Sequence, residues 1–305
     1  RSFISNVMEL FTLSQLSQLM DSTNPLSSMS HKRRLSSFGE GGLNKDRNWL
    51  DLREIHPSQY GRICSTETPE GQSVGLINSI TVFANINKYG FMTTPYHPVV
   101  NRKVDRSKVI NMTPLEDKNF LIAHADPKMI DEEGNILGDY IRCRQYEDYL
   151  FASPDKVQFI DVSPNQIMSV SSSLIPFLEH TDTVRALTGA NMQRQAVPLV
   201  RTEAPLIGTG MEKNVKDMCI FARRAGRVVE IDATKIIIQN DVLEFDYYKL
   251  EKFQKTNDGT CFNSHVKVSL NEEVAAGQLL ADGASSSYGE LALGQNVKVA
   301  FLSYR

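Results

Sequence analysis

Val228-Val229-Glu230-Ile231-Asp232-Ala233-Thr234-Lys235-Ile236-Ile237-Ile238 decides the fold class of this chain. Two β-branched runs flank the polar break Asp232-Ala233-Thr234, and that pattern predicts a hairpin. Downstream, Val266 and Val268, then Val274-Ala275-Ala276-Gly277-Gln278-Leu279-Leu280, read as short barrel strands joined by glycine turns. Upstream, Ile80, Val82, Ala84 and Ile86 alternate with Thr81, Phe83 and Asn85, the period of a strand with one buried face. Tyr89-Gly90, Thr94-Pro95, Asp126-Pro127 and Glu133-Gly134-Asn135 are expected to punctuate further strands, one of them at residues 120–124. The fold class is therefore α+β and β-rich.

Helix signals are fewer. Leu13, Leu16 and Met20 fall at helix spacing, with Gln15 and Gln18 among them, and Asn24-Pro25 is expected to end that helix. Ser163-Pro164 offers an N-cap with Pro at the first helical position, leading into Ile167, Val170, Leu174 and Ile175. Another helix is expected after Asp182, carrying Arg185, Asn191, Met192, Arg194 and Gln195, with Gly189 as its weak point. Arg185, Gly189, Met192 and Gln195 share one face of it, whereas Asn191 lies about 120° from Arg185.

With 305 residues, 41% hydrophobic and 23% charged, the chain is long enough for roughly two globular domains and unlike a disordered or fibrous one. It lacks the ~20-residue apolar run of a membrane-crossing helix. It begins with Arg-Ser-Phe, without Met or a signal-peptide pattern, and reads as an internal piece of something or as a processed or split product. Cys64, Cys143, Cys219 and Cys261 are dispersed, as for free thiols in a reducing compartment. The six histidines are equally dispersed, so no metal site is expected.

No phosphate-binding P-loop, nucleophile elbow or aspartate cluster for Mg²⁺ is present, so no catalytic residue is expected in this chain. The carboxylates of Glu67-Thr68-Pro69-Glu70-Gly71 are expected on a rigid turn, solvated rather than catalytic. The net charge of −3 hides two dense cationic steps, His31-Lys32-Arg33-Arg34 and Arg223-Arg224-x-x-Arg227, with Arg185, Arg194 and Arg201 between them. Each is ordinarily a solvated face; converging in space, they would suit phosphates. Gly39-Glu40-Gly41-Gly42-Leu43-Asn44-Lys45-Asp46-Arg47 is expected to be a mobile polar loop carrying two cations.

Several blocks together carry a resemblance. Ser14-Gln15-Leu16-Ser17-Gln18, Met20-Asp21, Asn24-Pro25-Leu26-Ser27, His31-Lys32-Arg33-Arg34-Leu35-Ser36 and Gly41-Gly42-Leu43 resemble the rifampicin-binding region of the bacterial RNA polymerase β-subunit family. His56-Pro57, Tyr60-Gly61-Arg62, Gly75-Leu76-Ile77-Asn78-Ser79, residues 173–180, residues 189–198, Gly208-Thr209-Gly210-Met211-Glu212 and residues 289–296 continue it in order. Residues 90–160 are its weakest part.

The resemblance implies four stretches: a fork and rifampicin-pocket region (1–72), a peripheral β-rich insert (73–150), a helical segment lining the active-site cleft (151–200) and the start of a hybrid-binding barrel domain (201–305). It implies that Arg185 faces the phosphates of the incoming nucleotide and that Gln15, Gln18, Glu70, Asn191 and Gln195 line the RNA path. Lys45 and Arg47 would meet downstream DNA, and Gln18, Asp21, His31, Arg34, Ser36 and Ile77 would form the antibiotic pocket. The implied partners are the β′ and α subunits, the remainder of β, template DNA, nascent RNA and nucleoside triphosphates, with no membrane. Mg²⁺ would be ligated by β′, and none by this chain. The implied location is the nucleoid-associated cytoplasm, or an organelle or host cytoplasm for a plastid or phage source.

The chain departs from the family pattern in places. Glu40 stands for a usual proline, Leu19 for a phenylalanine and Thr188 for a common methionine, while Thr181, Thr183 and Val184 interrupt an acidic run. Such drift suits a fast-evolving lineage. A different class of reading stays open: a stand-alone nucleic-acid-binding or interaction module derived from such a subunit.

Overall fold

The computed structural model describes residues 2–14, 17–39, 41–43, 50–215, 218–240 and 244–303. It is strand-rich, with five α-helices among these residues: α1 (Phe3–Leu13), α2 (Pro25–Lys32), α3 (Pro114–Asp117), α4 (Val170–Ser173) and α5 (Thr183–Gln193). None is long and apolar enough to cross a membrane. The chain divides into two compact units, residues 33–173 and residues 1–32 with 174–305.

The 33–173 unit is built on an eight-stranded sheet around Met92–Val100, which pairs with Asn85–Ile86, Lys103–Val104, Ile110–Met112 and Phe159–Asp161. The sheet continues through Ile122–Ala123 and Ile141–Gln145 to Asp148–Ala152. Val99, Val104, Ala123, Ile136, Ile141, Cys143 and Ile160 fill one core. Burial there pushes the Cys143 thiol up to about 11.

Beside that core runs a buried polar network. Arg62 Nη2 donates to Asp117 Oδ2 at 2.8 Å, and Tyr96 Oη donates to the same oxygen at 3.2 Å. Arg144 donates to Tyr96 Oη at 2.5 Å and lies 3.9 Å from the centroid of the Tyr60 ring. Tyr60 Oη in turn donates to Asp161 Oδ2 at 2.8 Å. Burial, and then the Asp161 charge, hold the Tyr60 phenol far above its ordinary range; burial does the same for Tyr96.

In the other unit the expected hairpin forms. Gly226–Ile231 pairs with Lys235–Gln239 in the register Glu230↔Ile237 and Ile231↔Ile236, with Asp232-Ala233-Thr234 as the connection. Phe245–Lys249 and Glu273–Val274 flank it, and Ile220–Phe221, Leu279–Asp282 and His265–Val266 form a second sheet. Val228, Ile236, Ile238, Tyr248, Leu280 and Ala281 pack as one core. Each large aliphatic side chain buried here contributes about 1.5–3 kcal/mol. Gln254–Lys255 with Cys261–Phe262, and Ser286–Ser287 with Glu290–Leu291, add two two-stranded sheets, and among the described residues these four sheets do not close a barrel.

Four local expectations need correction. Asn24-Pro25 does not end a helix: α1 stops at Leu13, and Pro25 opens α2 with Asn24 Oδ1 accepting from Ser27 N at 2.9 Å. Leu16 lies outside the described residues. Thr94-Pro95 is not a turn but lies inside the nine-residue strand Met92–Val100, where the Pro95 carbonyl accepts from Gln166 Nε2 at 2.8 Å. Residues 80–86 are not one alternating strand either. Thr81 is fully buried, donating to Gly61 O at 2.7 Å and lending its carbonyl to Arg33, and the chain turns at Val82 and Phe83.

The Ser163-Pro164 signal opens only a 3₁₀ turn, Pro164–Ile167. Met168 then extends, its carbonyl accepting from Val82 N at 2.9 Å, before α4 begins. Tertiary pairing overrides the helix pattern there.

Candidate nucleic-acid and nucleotide interface

α5 starts where the sequence signals it, with Asp182 Oδ2 accepting from Val184 N at 3.1 Å. Ala186 and Ala190 face inward, and Arg185 is exposed in the first turn. Among the described residues Arg185 makes no ion pair, which leaves its five donors to solvent or a ligand. Asn191 is half-buried, its Oδ1 accepting from the Arg194 guanidinium.

The helix ends sooner than expected. Gln193 is its last residue, so Arg194 caps it and Gln195 lies just beyond, exposed. Asn24, fully buried, holds the chain at this end: its Nδ2 donates to the carbonyls of Gln193 (3.0 Å), Arg194 (3.3 Å) and Ala196 (2.8 Å). Helix C-termini leave carbonyls without partners, and here the Asn24 side chain meets that of Gln193 and two just beyond the helix. Asn24 is a positioning residue that sequence reasoning missed; the signal was the Asn-Pro step, an N-cap followed by a first-turn proline.

The segment before α2 holds the next cluster. Asp21 N donates to His31 Nδ1 at 3.0 Å, so that nitrogen is an acceptor and the ring proton sits on Nε2. His31 Nε2 is 2.9 Å from Gln18 Oε1, to which it donates. Asp21 Oδ1 accepts from Thr23. Gln18, Asp21 and His31 are thus one hydrogen-bonded set. Gln15 lies outside the described residues.

In the 33–173 unit, Arg34–Ser36 pairs antiparallel with Ile77–Ser79, which sets Ser36 opposite Ile77. The Gly-rich loop begins with Gly39 (φ 128°) and Gly41 (φ 77°), backbone states that glycine reaches without strain. Lys45 and Arg47 lie outside the described residues. The expected carboxylate-presenting turn presents only Glu70, which is exposed; Glu67 is buried. Among the described residues, no three His, Cys, Asp or Glu side chains are placed to hold a metal ion.

Residues 18–86 match the family described as RNA polymerase Rpb2, domain 3. Residues 96–163 match the family described as RNA polymerase beta subunit external 1 domain. The DNA-directed RNA polymerase subunit beta of Aquifex aeolicus is 49% identical, covering 98% of this chain and 21% of its own length. Those of Rhizorhabdus wittichii and Syntrophobacter fumaroxidans are 47% and 50% identical, over 99% and 98% of this chain and 21% and 22% of their own lengths. The chain therefore spans about a fifth of these relatives. With near-half identity along its whole extent and both domain matches in order, it belongs to the RNA polymerase β-subunit family, as a segment carrying domain 3 and the external 1 domain.

Proposed function

We propose that this chain works as part of the β subunit of a multisubunit DNA-directed RNA polymerase, lining the RNA path and the nucleotide site. The observation that carries the reading is α5, which exposes Arg185 without an ion pair and is fixed at its other end by Asn24, next to Asn191 and Gln195. A guanidinium there would donate charge-assisted, bidentate hydrogen bonds to the triphosphate and help orient the α-phosphate for in-line attack. Neutral amides would hold the sugar-phosphate chain of the transcript without the salt bridges that impede translocation. Gln18 and Glu70 would extend that path, and Lys45 and Arg47 would contact downstream DNA.

Mg²⁺, which would neutralise charge developing on the transferred phosphoryl group, is assigned to aspartates of the β′ subunit. The α subunits and the remainder of β complete the assembly, in the nucleoid-associated cytoplasm or the organelle or host equivalent. Gln18, Asp21, His31, Arg34, Ser36 and Ile77 are assigned to a rifamycin pocket.

The test places a photoreactive residue at Gln195 in an assembled, halted transcription complex. Capture of RNA within a few nucleotides of its 3′ end supports the reading. Capture of protein alone, or failure of the chain to assemble with the other subunits, supports a stand-alone module instead.

A further inference from the structure

A cavity of about 290 Å³ opens in the unit formed by residues 1–32 and 174–305. Leu174, Pro176, Ile207 and Leu293 give it apolar walls, and its ionisable groups are two carboxylates, Glu203 and Glu212. Glu212 is 7% exposed, yet its Oε1 is held only by Thr209, through the backbone N–H at 2.9 Å and the hydroxyl at 3.4 Å. Glu203 Oε2 accepts from Asn296 N at 3.1 Å and Nδ2 at 3.2 Å. Among the described residues nothing donates to the second oxygen of either group. Gln193 Oε1, also of a lining residue, is buried without a partner.

The donors nearby are already committed. Asn296 Nδ2 also donates to Ala204 O at 2.9 Å, and Gln295 Nε2 donates to Arg201 O at 2.9 Å. Lys213, next to Glu212 in sequence, turns to Glu290 at 3.3 Å. Among the described residues the cavity therefore offers acceptors and negative charge with no cation of its own. Two carboxylates lining one cavity disfavour each other's charge, and their complement is a multiply donating cation. The apolar walls suit the aliphatic stem of lysine or arginine, which a bare metal ion would leave unused. The surroundings are apolar as well: Leu206 is 86% exposed and Val297 77% exposed, and Leu206 N bonds Asn296 Oδ1 at 3.2 Å. Exposed aliphatic residues flanking a charged hole suit a polypeptide surface better than a free polyamine.

We infer that this cavity receives a basic side chain, lysine or arginine, from a partner polypeptide. The guest's head group meets Glu203 and Glu212, and its backbone covers Leu206 and Val297. Because Gln193 is the last residue of α5, the guest braces the end of that helix opposite to Arg185. The inference does not depend on which enzyme the chain serves.

The first test titrates n-butylguanidinium, n-butanol and spermidine into the chain and follows the methyl resonances of Leu174, Ile207 and Leu293. Saturable shifts with n-butylguanidinium, absent with n-butanol and weakened at least fivefold by Glu203→Gln, are expected. Glu203 is exposed, so this variant keeps the fold even if Glu212→Gln does not. Equal shifts with n-butanol would mark a merely apolar hole and overturn the inference. The second test places a photocrosslinker at Leu206 in the assembled complex and maps the captured residue. Capture of a polypeptide segment, lost when its lysine or arginine is changed to methionine, is expected. Capture indifferent to that change, capture of nucleic acid, or no capture together with tighter binding of spermidine than of n-butylguanidinium would each overturn the partner assignment.

Discussion

Asn24 Nδ2 lies 2.8 Å from the carbonyl oxygen of Ala196, 172 residues further along the chain, and this bond fixes where α5 ends and Gln195 begins. Asn24→Ala removes donors from three carbonyls in a dry environment and should cost about 1–3 kcal/mol in chemical denaturation. Asn24→Asp keeps the shape but turns a carboxylate towards those same oxygens, so it should cost more than Asn24→Ala at neutral pH. If the aspartate variant were the more stable of the two at neutral pH, the capping role would be wrong.

His31 has one nitrogen accepting from the Asp21 backbone and the other donating to Gln18. Tyrosine supplies no acceptor at the first position and adds bulk. His31→Tyr in the assembled enzyme should raise the rifamycin concentration for half-inhibition more than tenfold. The same transcription assay on the unmodified enzyme checks the pocket itself, because activity undiminished at saturating drug would contradict it.

The buried pair Arg62 and Asp117 predicts a large stability effect. Asp117→Asn leaves the Arg62 guanidinium, 1% exposed, without its anion and should cost about 3–5 kcal/mol. Arg62→Met with Asp117→Leu should recover much of that loss, since neither charge then remains. A urea denaturation series with no difference between single and double variants would argue against the pairing.

Arg224 donates to both oxygens of Asp246, at 3.1 and 2.7 Å, and this holds the Asp246 carboxyl below its ordinary value of 3.8. A depressed folded-state value contributes stability that is present above the ordinary value and lost as pH falls through the folded one. Asp246→Asn should therefore be less stable than the parent at neutral pH, and the gap should close as pH drops below 3.8. Denaturation midpoints at several pH values check this; a gap that widens in acid would reverse the sign.

What was legible in the sequence was local. The hairpin around Asp232-Ala233-Thr234 and the Asp182 cap each depend on neighbours within a few residues, and both stand where they were read. Asn24 is ambiguous in the sequence because the same Asn-Pro step ends one helix or opens another, and its further partners lie at Gln193 to Ala196. Pro95 looked like a turn because the Gln166 side chain that accommodates its carbonyl is 71 residues away. The Arg62 and Tyr60 networks join residues 55 and 101 apart, and no periodicity announces them. Arg185 and Gln195 were named through resemblance, and only the structure shows that the helix between them stops short of the second.

Nucleotide addition measured on Arg185 tests the central claim most directly. A fixed guanidinium on the triphosphate should help both binding and the chemical step. In an assembled enzyme, Arg185→Ala should lower kcat/KM for single-nucleotide addition more than tenfold, about 1.4 kcal/mol or more. The lifetime of the halted RNA–DNA complex should barely change, since Asn191 and Gln195 hold the transcript already made. An unchanged dependence on nucleotide concentration, with a shortened complex lifetime, would show that Arg185 grips RNA or the fold and would contradict the account.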